Sequence, residues 1–117
     1  MKNSNGRPPT ILIAEDVDWI RSGMKRAVER QGCRVAQAAD DAEAFGVAET
    51  ESIDLILTEE QLPTFDALMA GLRERPALSE VPVVIVNPDA EEGTRYGGAY
   101  LLTDYSHISS LLARPRR

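Results

Sequence analysis

A single cysteine, Cys33, in 117 residues leaves no partner for an internal disulfide, which agrees with a reducing compartment. Its place after Gly32, at the start of a strand, is that of a packing residue, and no redox role is expected for it. Long apolar runs are missing too: none approaches the roughly 20 residues that a bilayer-spanning helix needs, so no membrane partner is expected. The opening MKNSNGRPP has Lys2 and Arg7 but no apolar segment behind them before Glu15 and Asp16, so a cytoplasmic rather than a secreted protein is expected. Basic residues are scarce, 13 against 19 acids for a net charge of -6, and five of them (Lys2, Arg7, Arg114, Arg116, Arg117) sit in the tails. The body between is strongly acidic and repels phosphate backbones, which argues against nucleic acid as a direct partner. No Gly-rich phosphate loop, internal repeat or low-complexity segment is found.

What is present suits one globular domain: 43% hydrophobic and 27% charged residues in a chain long enough for a single core. A flexible tail over 1–9, a domain over 10–113 and a basic tail over 114–117 are expected. TILIA (Thr10 to Ala14) is a continuous apolar run ended by acids, the pattern of a strand buried on both faces. Ile20, Met24, Ala27 and Val28 then recur at helical spacing, with Asp18 placed to cap and Gly32 to terminate. RVAQA (Arg34 to Ala38), a helix opened by Ala39 and Asp40, IDLILT (Ile53 to Thr58) and a helix over Phe65 to Arg73 continue the alternation. VPVVIV (Val81 to Val86) and AYLL (Ala99 to Leu102) complete five strands, with a short last helix over His107 to Leu112. Strands alternating with helices imply an α/β fold, a parallel sheet covered on both faces by right-handed crossovers. The link NPDAEEGTRYGG (Asn87 to Gly98) has proline, three glycines and no apolar stripe, so the fourth helix is expected to be missing or reduced to a loop or turn.

In such a sheet, ligands gather at the carboxyl ends of the strands. Glu15 and Asp16 follow the first strand, Glu59 and Glu60 the third, Asn87 the fourth and Asp104 the fifth. One acid at a strand tip means little, because tips face water; acids at three tips ask for an explanation. Carboxylates 4 Å apart repel by about 4 kcal/mol at an effective dielectric near 20. They can point apart into water, the commonest outcome for surface acids, or one can keep its proton, or Mg²⁺ or Ca²⁺ can sit among Glu15, Asp16 and Glu59.

From Ile11 to Leu112 the chain resembles the receiver domain of two-component response regulators. ILIAEDVDWIR is similar to that family's first strand and acidic pair, DLILTEEQLPTFDAL to its third strand and following loop, and GAYLLTDYS to its fifth strand and loop. The resemblance implies a doubly wound, flavodoxin-like sheet of five parallel strands in the order 2-1-3-4-5. It also implies phosphorylation of an aspartate after the third strand, with a divalent metal held by the acidic pair. Counting back four from Pro63 puts Glu59 at the phosphoacceptor position. Asn87 stands where the family has threonine or serine, Asp104 where it has lysine, and Leu101, beside Tyr100, at the aromatic switch position. Glu59 is one methylene too long for a transfer in which a small misplacement costs about a hundredfold. Asp104 replaces a cation with an anion, which opposes the developing charge.

The expected function is therefore a pseudo-receiver: a signalling module that binds a signalling protein without phosphorylation, as a monomer or weak dimer, with no cofactor required and no enzyme activity. Trp19 and Tyr96 are candidate anchors for that partner, although Trp19 can equally lie half-buried against its own helix. The alternatives are a receiver phosphorylated at an atypical acid, a module held active by Glu59 as a phosphomimic, and a small metal-dependent phosphohydrolase. The last lacks a nucleophilic aspartate and a general acid.

Overall fold

In a computed structural model, residues 6–86, 95–96 and 99–102 are described. Strand β1 (Thr10–Ala14) leads to helix α1 (Asp18–Arg30), then β2 (Arg34–Ala38), α2 (Asp41–Thr50), β3 (Leu55–Thr58), α3 (Phe65–Glu74) and β4 (Val83–Val86). Two further strands follow, β5 (Arg95–Tyr96) and β6 (Ala99–Leu102), in a sheet of order β2-β1-β3-β4-β6-β5. The strands β2, β1, β3 and β4 pair in parallel, as the alternation of apolar runs and helices predicts. β6 pairs in parallel with β4. The expected all-parallel sheet needs one correction: β5 runs antiparallel to β6, two residues away in sequence. The reduced fourth helix and the last helix fall on residues outside those described.

Period-two alternation divides the core between the two faces of the sheet. Ile11, Ile13, Leu55, Leu57 and Val84 pack with Met24 and Val28 of α1. Leu12, Ile56, Val83 and Ile85 pack with Ala44 of α2 and with Phe65, Leu68 and Leu72 of α3. Each fully buried Leu or Ile contributes roughly 1.5–3 kcal/mol relative to exposure, so β1 and β3, buried along their whole length, anchor the fold. Asp54 locks their entry ends: its Oδ2 accepts from Thr10 N at 2.8 Å, and its own N–H donates to Thr10 O at 2.9 Å. β3 and β4 begin two residues later than the apolar runs suggest, because burial of Ile53 and Val81 extends beyond the ladder.

Helix boundaries follow local chemistry. Asp18 is not the cap of α1; Val17 holds that position and Asp18 is the first helical residue, paired with Arg21. There its charge faces the positive end of the helix. Gly32, at φ 84°, ends α1 in the left-handed region, as expected. At α2, Asp40 Oδ1 accepts from Glu43 N at 2.8 Å while Glu43 Oε1 accepts from Ala39 N at 2.7 Å, a reciprocal closure of the first turn.

Helices α2 and α3 meet at Phe45, whose ring lies under the Arg75 guanidinium at 3.7 Å, and Arg75 Nη1 donates to Gly71 O at 3.0 Å. A Cβ on Gly71 would overlap the Phe45 ring edge. Gly71→Ala gains about 1 kcal/mol of helix propensity but meets an overpacking cost of about 1–3 kcal/mol. The expected outcome is a net loss of about 1 kcal/mol in urea unfolding, turning into a gain in a Phe45→Leu background.

Candidate functional site

The register of β1 and β3 builds the site. Ala14 is opposite Thr58, so Glu15 and Glu59 stand next to each other one step beyond the last ladder pair. Thr58 Oγ1 donates to Ala14 O at 2.9 Å and joins the two strand tips. Glu15 N donates to Ala38 O at 3.0 Å, so the backbone of Glu15 still belongs to the sheet. Its side chain is consequently held inside, fully buried. Arg21 closes the turn from above, donating through Nη1 to Glu15 O at 2.8 Å and through Nη2 to Asp18. After β3, Leu62 N donates to Glu59 O at 3.1 Å and Phe65 N to Leu62 O at 2.9 Å, which turns the chain past Pro63 into α3. Thr64 Oγ1 accepts from Asp41 N at 3.2 Å and ties the starts of α2 and α3 together.

Of the acids expected to converge, Glu15 and Glu59 do so, whereas the Asp16 side chain is exposed and acts on them only through its charge. Neither buried Glu15 oxygen receives a hydrogen bond from any N–H or O–H donor. Burial first, then the close approach and charge of Glu59 and the charge of Asp16, push the Glu15 pKa up to about 8, against a weaker opposing pull from the Asp16 backbone. A proton on Glu15 supplies the donor that the pair otherwise lacks. The repulsion among these acids is thus relieved by protonation, not by the water exposure that is commonest for surface acids, because the sheet holds Glu15 below the surface. Among the described residues no three His, Cys, Asp or Glu side chains are grouped to hold a metal ion.

Glu60 and Asp66 are exposed. Trp19 is 77% exposed, so it is not half-buried against its own helix. Tyr96 lies on β5 opposite Ala99, and Leu101 on β6 opposite Ile85 of β4. Asn87 and Asp104 lie outside the described residues. Arg21 was not among the expected site residues; its only sequence signal is the three-residue spacing from Asp18, a pattern common on any helix.

The raised Glu15 pKa sets a sign for pH dependence. Glu15 keeps its proton in the folded state up to about pH 8 but loses it in the unfolded chain near the ordinary value of 4.5. Its contribution to stability is therefore intact below pH 4.5, declines as pH rises, and reaches its full penalty above pH 8. Glu15→Gln, which carries a permanent donor toward Glu59, is expected to match wild type near pH 4.5. It should then gain on wild type by up to about 1.4 kcal/mol per pH unit and level off above pH 8. Urea unfolding at four pH values checks this, and a pH-independent difference would contradict it.

Comparison with known proteins agrees with this arrangement. The family model for the response regulator receiver domain matches residues 11–103. A gliding motility regulatory protein of Myxococcus xanthus is 32% identical over 79 residues, 66% of this chain and 10% of that protein. The transcriptional regulatory protein AfsQ1 of Streptomyces coelicolor is 31% identical over 78 residues, 67% of this chain and 34% of that protein. The chain thus spans only about a tenth to a third of the length of these relatives. A response regulator structure from Chloroflexus aurantiacus superposes with a TM-score of 0.77 at 20% identity, covering 92% of this chain and 100% of that one. No helix among the described residues is long and apolar enough to cross a membrane. With its parallel α/β sheet and its acids at the ends of β1 and β3, this chain belongs to the response regulator receiver domain family.

Proposed function

We propose that this domain is a degenerate receiver, a pseudo-receiver that signals by binding a protein partner without phosphoryl transfer. The observation that supports the reading is the Glu15–Glu59 pair, in which a fully buried glutamate with no hydrogen-bond donor stands beside the residue expected at the phosphoacceptor position. A phosphoryl group added there would bring more negative charge to a place already relieved by protonation. The nearby cation, Arg21, is committed to Glu15 O and Asp18. Replacement of the family's threonine or serine by Asn87 and of its lysine by Asp104 points the same way.

On this reading the domain needs no cofactor and catalyses nothing itself, works in the cytoplasm, and contacts neither nucleic acid nor membrane. A cation would have to displace the proton shared by Glu15 and Glu59, so any Mg²⁺ affinity rises toward pH 8. The exposed Trp19 at the start of α1, near the acidic edge, supplies the anchor for a signalling protein. Incubation with acetyl phosphate and Mg²⁺ is expected to leave the intact mass unchanged. A gain of one phosphoryl group that is lost in Glu59→Ala would establish an atypical phosphoacceptor and overturn the proposal.

A further inference from the structure

Charge on the described surface is segregated by helix. Residues 19–34, most of α1 with the first residue of β2, hold five basic side chains (Arg21, Lys25, Arg26, Arg30, Arg34) against one acid, Glu29. Residues 40–51, α2 and its two flanking residues, hold five acids (Asp40, Asp41, Glu43, Glu49, Glu51) and no base. In a domain acidic overall, a net positive helix favours association with a surface of opposite sign. The chain carries such a surface itself. α1 packs on one face of the sheet and α2 on the other, so the two cannot meet within one molecule.

Their exposed stripes match in pitch. Trp19, Ser22, Arg26 and Arg30 are all exposed and succeed one another at three- and four-residue steps, which places them on one side of α1. Ala42, Gly46 and Glu49 are exposed on α2 at the same steps, with exposed Glu51 just beyond the helix. Trp19 to Arg26 and Ala42 to Glu49 each span seven residues, about 10 Å along a helix axis. Trp19 is the one large hydrophobic side chain exposed among the described residues. A Cβ built on Gly46 meets nothing within 4 Å, so the surface there is open to a ring laid across it.

The geometry points to self-association, the α1 stripe of one copy docking on the α2 stripe of a second. Trp19 covers the notch at Ala42 and Gly46, while Arg26 and Arg30 face Glu49 and Glu51. The indole supplies the buried apolar area and the charge pairs supply orientation and encounter rate. Two different patches meet, so the contact is head-to-tail rather than two-fold, and a single helix pair buries little enough area to keep it weak. Trp19 is shared with the surface proposed for a protein partner, but neither Glu15 nor Glu59 takes part, so the test leaves the phosphorylation reading untouched.

Sedimentation velocity across a concentration series decides the matter. Wild type is expected to associate at low ionic strength and to become monomeric at high salt, where the Debye length falls to about 3 Å. Arg26→Glu with Arg30→Glu, and separately Glu49→Arg with Glu51→Arg, are expected to weaken association at least about tenfold. Mixing the two charge-reversed proteins restores it, because each retains the surface the other needs. All these side chains are exposed, and circular dichroism verifies that each variant remains folded. A wild-type monomer at every concentration and low salt would overturn the proposal. So would association that survives either reversal, or reversed variants that fail to associate when mixed.

Discussion

The parallel pairing of β1 with β3 is the constraint on which the rest of the structure depends. Both strands are buried along their full length, and their side chains alternate between the α1 core and the core under α2 and α3. A slip of one residue would exchange those two sets and take every contact with it. The same register brings Glu15 beside Glu59, and the bond from Glu15 N to Ala38 O keeps Glu15 in the sheet instead of releasing it to a loop. The site is thus a consequence of core packing carried one residue past the apolar run.

That placement decides the electrostatics. An acid on a mobile tip would turn to water, but one still bonded into the ladder is held where its carboxyl is desolvated and opposite another carboxylate. Holding a proton is the remaining way to reduce the repulsion without a cation. The edge is therefore costly at neutral pH and least so in acid. A buried acid set against a charged partner in this way marks a candidate functional site, in keeping with membership of a signalling family. The exposed faces of α1 and α2 bear the opposite relation to the fold. Neither is needed for the core, and both are free to carry charge for contacts outside the molecule.

The succession of the first four strands and three helices along the chain was legible from the spacing of apolar residues, because burial on both faces of a parallel sheet leaves continuous apolar strings that few other folds need. The helix stop at Gly32 was legible for the same kind of reason, since a positive φ there favours glycine. Ends set by competing local bonds were less so. Asp18 has the chemistry of a cap, yet it is the first residue inside the helix, paired with Arg21. The antiparallel β5 escaped because two residues are too few for any periodicity to register.

Residue identity alone put acids at the tips of the first and third strands, and the family resemblance, through the position of Pro63, set Glu59 where a phosphoacceptor is expected. Which acid lies inside, and which keeps its proton, depended on how far the β1 ladder runs and on what lies next to it across the sheet. Likewise the string of basic residues between Arg21 and Arg34 was visible in one dimension. Only folding around the sheet turned α1 and α2 away from each other and set an exposed tryptophan at the end of one charged stripe. Burial and charge proximity depend on neighbours distant in the chain, and tertiary packing alone decides those.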